Sequence, residues 1–224
     1  MKRKYALYPM IMSVCALFCF ITVFVDFAET VQPLWGRIIL LILPALILGL
    51  VAFFAAKGKL GIFATVSLTT ILSIVLFLAS VFYILFLSMW TLTTITTDIQ
   101  YYSRAYAQID EEDGVKEVFP KNIPTDAEDI VFTYTPQFLQ GGEVFELSYT
   151  TNNDKLTEWT ALLKKEAEWI GSNHEWHSEN GWFFNGVDST RYQLDWDGGV
   201  NHGEMCYVLI DEKMERITFY YSLW

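Results

Sequence analysis

The chain has 224 residues, 53% of them hydrophobic, and a formal net charge of −11. Residues 1–97 hold six basic side chains (Lys2, Arg3, Lys4, Arg37, Lys57, Lys59) against Asp26 and Glu29, whereas residues 98–224 hold nine basic against 24 acidic ones. That division excludes a single soluble globular domain, and an acidic half that repels phosphate excludes a nucleic-acid partner.

Three uncharged apolar runs fill the first part, and each predicts a transmembrane helix: residues 5–25, 38–56 and 60–90. The first, at a helical rise of about 1.5 Å per residue, reaches ~31 Å, the thickness of bilayer hydrocarbon. The third is longer than a bilayer needs, so tilt or emergence on one side is expected, with Tyr83 and Trp90 suited to the interfacial belt. Lys2, Arg3, Lys4, Lys57 and Lys59 fall on one side of these spans; Arg37 and Arg104 fall on the other. The basic excess sets the N-terminus in the cytoplasm and the C-terminal domain outside. The first run is too long for a signal-peptide core, and Val25–Ala28 makes a poor small-x-small cleavage site, so it reads as a retained span. Pro9 and Pro44 are candidate kinks, and Gly49, Gly61 and Ala64 permit close backbone approach. No acidic residue, lysine or histidine falls at mid-depth, which disfavours an ion path. Cys15 and Cys19, one turn apart, read as small apolar fillers rather than metal ligands.

Residues 98–114 read as a connection that carries Tyr101, Tyr102 and Tyr106 and ends in the acidic run Ile109–Gly114. Residues 115–224 then read as an α+β domain with an antiparallel sheet and one packed helix. Ile130–Thr135 and Val144–Thr150 alternate as strands with one buried face. Thr151 and Asp154 fit a capping box, with Asp154 as the alternative cap. Leu156, Trp159, Leu163, Ala167 and Ile170 follow at helical spacing, and Gly171 is a natural stop. Trp182–Phe184, Thr190–Trp196, Cys206–Asp211 and Arg216–Ser222 complete the strands, the last two as a hairpin.

Three groups of residues invite a chemical reading. His174, His177, His202 and Glu204 form a ligand inventory of the kind zinc uses, and their competing reading, which is preferred, is a set of exposed loop side chains. The run Asp195–Glu204 superficially follows a calcium loop, but Gly199, Val200 and Glu204 fall at the wrong positions for one. Trp176, Trp182 and Trp196 are candidates for an aromatic binding surface, since exposed indoles stack on sugars or anchor protein partners. Cys206 reads as a buried thiol. No catalytic residue is assigned, and no cofactor is expected.

The stretches Phe119-Pro-x-x-Ile-Pro124, Phe138–Gly142 and Tyr207–Tyr221 resemble uncharacterised extracytoplasmic α+β domains of bacterial membrane-anchored and lipoprotein-type proteins. The resemblance implies an extracytoplasmic domain and carries no catalytic residue. The expectation is a multi-pass cell-membrane protein displaying an acidic domain for binding, sensing or an accessory role. Its partners would be the lipid bilayer and another membrane or cell-envelope protein. The alternatives are a membrane-bound metal-dependent hydrolase using the histidines and acids near 174–204, or an auxiliary subunit of a transporter or secretion complex.

Overall fold

The computed structural model describes residues 4–109, 118–138, 142–180, 189–197 and 203–224. The chain divides into two compact units, Met1–Thr91 and Leu92–Trp224.

The first unit is helical. A 3-10 turn, Lys4–Ala6, leads into α1, Leu7–Ala28. The second apolar run begins as a short helix, α2, Trp35–Ile38, passes through a 3-10 segment, Ile39–Ile42, and continues as α3, Leu43–Ala56. The third is α4, Ile62–Thr93, of 32 residues. Pro9 and Pro44 do not kink helix interiors as expected. Each lies in the first turn of its helix, where no intrahelical partner awaits the missing N–H. Before Pro44 the chain tightens into the 3-10 segment, so the Leu43 amide bonds to Leu40 instead.

Helices α1 and α3 approach closely, with the Ser13 hydroxyl donating to the Ala45 carbonyl at 2.7 Å beside Gly49. At one end Phe27, Ile38, Leu41 and Leu87 form a buried apolar cluster. The turn into α4 is closed by Gly58 at φ 75°, with Gly58 and Lys59 amides bonding back to Ala55 and Phe54. That is the Schellman arrangement, and its left-handed position favours glycine.

The second unit is a six-stranded sheet with helices. After a 3-10 turn, Ile99–Tyr101, come α5, Tyr102–Gln108; β1, Glu128–Thr135; and β2, Glu143–Thr150. Then follow α6, Asn153–Glu166; β3, Trp169–Ser172; and α7, Asn173–Glu179. The chain ends in β4, Thr190–Asp197; β5, Glu204–Asp211; and β6, Arg216–Leu223. The spatial order is β1-β2-β6-β5-β4-β3, and every pairing is antiparallel.

Register sorts the strand residues onto two faces. Phe145, Leu147 and Tyr149 pair with Tyr221, Phe219 and Ile217, which pair in turn with Cys206, Val208 and Ile210. All nine are buried and form the core. Leu156 and Leu163 of α6 are buried with them, and Trp159 sets its edge on the Phe219 ring at 5.0 Å. Tyr102 of α5 meets Phe132 and Phe145 at 5.5 Å each, and its hydroxyl donates to the Pro120 carbonyl. Phe119 fills in against Phe145 and Phe219.

Several expectations are corrected here. The tyrosines of 98–114 do not all lie on an exposed connection: Tyr102, Ala105 and Ile109 are buried, because α5 lays one face on the sheet aromatics. The cap of α6 is Asn152, whose side chain accepts from the Lys155 amide at 2.9 Å, rather than Thr151 or Asp154. The Thr151 amide is already bonded to the Glu215 carbonyl, and its hydroxyl donates to Asp126 at 3.4 Å.

Helix α6 also ends before Ala167, which is extended, and the Glu168 amide donates to Gln193 on β4. Ladder pairing at the sheet edge therefore overrides the helical spacing of Ala167 and Ile170. Gly171 sits in β3 rather than stopping a helix. A Cβ there would come within 2.6 Å of the Trp169 indole. Helix α7, whose Ser172–Glu175 capping box follows the S-x-x-E pattern, was not expected. The anticipated strand Trp182–Phe184 lies outside the described residues.

Candidate functional site

The second sheet face carries the most unusual group in the domain. Arg191 of β4 is fully buried, yet among the described residues no carboxylate lies within ion-pair distance of it. Its guanidinium is held flat between two rings, 3.6 Å from the Trp176 centroid and 3.6 Å from that of Tyr207. Around its edge it donates from Nε to the Gln193 side-chain oxygen at 2.8 Å and from Nη1 to Asn173 at 3.0 Å, while Nη2 faces the Met205 sulfur at 3.3 Å. Burial lowers its pKa to about 10, so the group remains a cation at neutral pH. A desolvated cation–π contact contributes ~2 kcal/mol, and two of them offset part of the cost of burying a charge that has no carboxylate partner among the described residues.

Each neighbour is positioned by its own element. The capping box at Ser172 starts α7, which sets Asn173 and Trp176 over β4. Gln193 is fixed by donating to the Cys206 carbonyl at 2.8 Å and to the Asp195 carbonyl. Between Gln193 and Asp195 the β4–β5 register shifts. This bulge moves Trp196 onto the face of Arg191, where strict alternation would have set it with Tyr192. Trp196 meets Trp176 edge-on at 5.3 Å and Trp224 at 5.7 Å. Gly203 makes room for Trp224, since a Cβ there would fall 2.4 Å from the indole.

On the other side of the cation, Tyr207 stacks on Tyr220 at 4.8 Å, and Tyr220 pairs across the ladder with Glu146. Burial raises the pKa of both phenols and of the Glu146 carboxyl. Ser148 and Thr218 share a hydrogen bond at 2.9 Å, and Arg216 donates to Ser148 at 2.8 Å. The result is a row running Tyr220, Tyr207, Arg191, Trp176, Trp196, Trp224. Its groups stack, polarise and hydrogen-bond; Arg191 and Trp176 are buried at its centre, so the row holds α7 on the sheet, and Trp176 is not the exposed indole that the sequence suggested.

Of the residues singled out from sequence, Trp176 and Trp196 come into contact, and His177 lies edge-on to Trp176 at 5.4 Å. His174 and His177 share α7, one turn apart. Burial first, then the charges of Arg191 and His174, lower the His177 pKa. Glu204 pairs with Asp197 and so projects from the opposite sheet face to Trp196, which pairs with Met205. His202 and Trp182 lie outside the described residues. Among the described residues no group of three or more histidine, cysteine, aspartate or glutamate side chains is gathered as metal ligands do. Cys206 is fully buried, and burial pushes its thiol pKa up.

Sequence reasoning missed Arg191. The signal was present as a basic residue at an inward position of an alternating strand, but apart from Gln193 on the same strand its partners come from two other elements, α7 and β5. Comparison with known proteins finds no matching family model, no matching curated protein and no matching solved structure.

Proposed function

We propose that the protein crosses a membrane three times, with its N-terminus in the cytoplasm, and displays its acidic sheet domain on the far side as a binding or accessory module. The observation that carries this reading is the outward placement of large apolar side chains on the helices. Phe63, Phe82 and Phe18 are 83%, 72% and 70% exposed, and Leu50, Ile71 and Leu85 are likewise open. Lys4–Ala28, Trp35–Ala56 and Ile62–Thr93 are each long and apolar enough to cross a membrane. Apolar surface on this scale favours lipid over water by about 25 cal/mol per Å².

The polar groups at the two helix ends support the same reading. At one end the Tyr5 hydroxyl donates to the Leu60 carbonyl, and Lys57 and Lys59 lie over the Phe53 and Phe54 rings. At the other, Arg37 lies 3.7 Å over Trp90, Tyr83 donates to the Arg37 carbonyl, and Trp35 packs on Phe24. From Ile62 to Tyr83 a helix rises ~32 Å, close to the ~30 Å of bilayer hydrocarbon. Amphipathic aromatic and basic groups collect at such interfaces.

The test is chemical labelling on intact cells. Lys213, exposed in the β5–β6 turn, is replaced by cysteine in a Cys15→Ala/Cys19→Ala background. A membrane-impermeant maleimide should label Lys213→Cys without lysis, while buried Cys206 stays silent. Labelling only after lysis would reverse the proposed orientation.

A further inference from the structure

Between α1 and α3 of the helical unit runs a groove of about 700 Å³, walled by Leu7, Met10 and Val14 on one side and Gly49, Ala52 and Phe53 on the other. The small side chains of α3 leave the hollow, and Leu7, Met10, Val14 and Phe53 are each more than half exposed around it. Lys4 and Ala56 line one end; Ser13, which bonds to Ala45 and meets Gly49, lines the other. Along α1 the lining reaches from Lys4 to Val14, ~15 Å of helix, which is one leaflet's share of the ~30 Å hydrocarbon core.

We propose that this groove seats an anionic phospholipid, with one acyl chain lying along it and the phosphate meeting Lys4 and Lys57. The inference rests on the three-span reading, and charge decides the class of lipid. The only carboxylates of the helical unit are Asp26 and Glu29. Asp26 lies ~33 Å from Lys4 along the helix. Lys4 at the groove end, and Lys57 and Lys59 just beyond Ala56, therefore have no carboxylate of their own unit within reach. Lys57 lies over the Phe53 ring at 5.6 Å, and that ring is part of the groove wall; Lys59 lies over Phe54 at 5.7 Å, outside the lining. A neutral lipid would fill the groove and leave both ammonium groups uncompensated. A second copy in the same orientation would bring two sets of these lysines together, and like charges repel. On the proposed orientation the lysines face the cytoplasmic leaflet, where anionic lipids concentrate.

The experiment uses the full chain in a mild non-ionic detergent. Dioleoyl phosphatidylglycerol and dioleoyl phosphatidylcholine are titrated in separately, and bound lipid is counted by native mass spectrometry. One phosphatidylglycerol per chain is expected, held about tenfold more tightly than phosphatidylcholine or better. Lys4→Gln and Lys57→Gln should each weaken it about fivefold, the loss of one basic contact at a membrane surface. Lys59→Gln removes the same charge from the same end but touches no groove wall, so it should weaken binding about twofold at most. Ala52→Leu fills the groove with the lysines in place and should weaken both lipids. The lysine variants, on exposed side chains, decide the matter if Ala52→Leu does not fold.

Equal losses from all three lysine variants would mean diffuse attraction to a basic end and overturn the site. Equal retention of the two lipids would overturn the ligand class. Dimers that Ala52→Leu dissociates, with no lipid bound, would give the groove to a second copy and overturn the lipid. Failure of the three-span reading shows separately, on removing the detergent in the presence of phosphatidylcholine vesicles. A chain that then stays in solution overturns both readings, whereas one that enters the vesicles but lacks the lipid preference loses only the groove.

Discussion

The two units of this chain solve the burial problem in opposite directions. In the helical unit phenylalanines point outward, as Phe63 and Phe82 do, while the hydroxyls of Thr65 and Thr69 are buried. Those hydroxyls are satisfied locally, donating to the carbonyls of Gly61 and Thr65 at 2.8 and 2.7 Å. In the sheet unit Phe145, Phe219 and Tyr149 are fully enclosed, and the charged side chains Glu212, Lys213 and Glu215 face out. One set of intermolecular forces acts on both. If the helices cross a membrane as proposed, what differs is the medium each surface meets, and identical residue types carry opposite energetic meaning in the two halves.

The largest expected effect that would break this contrast comes from the core aromatics. Phe145→Ala should destabilise the sheet unit by ~3–5 kcal/mol, and Tyr102→Ala by a similar amount, measured by denaturant unfolding. For the same reason a fragment beginning at Leu92 should unfold cooperatively, whereas one beginning at Asp113, lacking Tyr102, should not. If the shorter fragment were equally stable, α5 would be an ornament on the sheet.

Arg191→Lys comes next. An ammonium cannot fill the planar slot between Trp176 and Tyr207 or keep the bonds to Gln193 and Asn173, so a loss of ~2–4 kcal/mol is expected. Wild-type stability in that variant would mean the stack is incidental. Asn152→Ala should then cost ~1 kcal/mol through the lost cap, and Thr151→Ala less than half of that. The reverse ranking would return the cap of α6 to Thr151.

Phe82→Ala should change thermal stability in nanodiscs by less than ~0.5 kcal/mol, despite removing as large a ring as Phe145→Ala does. The smallest effect is one of pH. The His177 pKa is lowered in the folded state, so the unfolded chain takes up its proton first as pH falls. Its contribution is fully present above the unfolded value of ~6.5 and declines below it. His177→Gln should flatten the Tm–pH slope between about pH 6.5 and 5, and an unchanged slope would assign it to other groups.

Local patterns were read well from sequence. The three apolar runs became three long helices within a few residues of their expected limits, and the alternating stretches became β1, β2, β4, β5 and β6. What was not legible depended on distant partners. Thr151 and Asn152 are both competent caps, and the choice between them was made by Glu215, 64 residues away, taking the Thr151 amide. Ala167 and Ile170 match a helix, but Gln193 and Tyr192 recruit that segment into the sheet. The bulge in β4, invisible in a strictly alternating pattern, decides which face Trp196 joins. Helix α7 is the exception, since Ser172-x-x-Glu175 is a local signal and was overlooked beside the histidines it carries.

The uncharged groups that hold Arg191 have a consequence for endurance. A joint made by an ion pair loosens when acid protonates its carboxylate or when salt screens it. Here the cation is gripped by an indole, a phenol, two amides and a thioether, none of which changes charge between mildly acidic and mildly alkaline conditions. The grip on Arg191 therefore neither titrates away in mild acid nor is screened away by salt, and the acid sensitivity of α7 falls to His177 beside it.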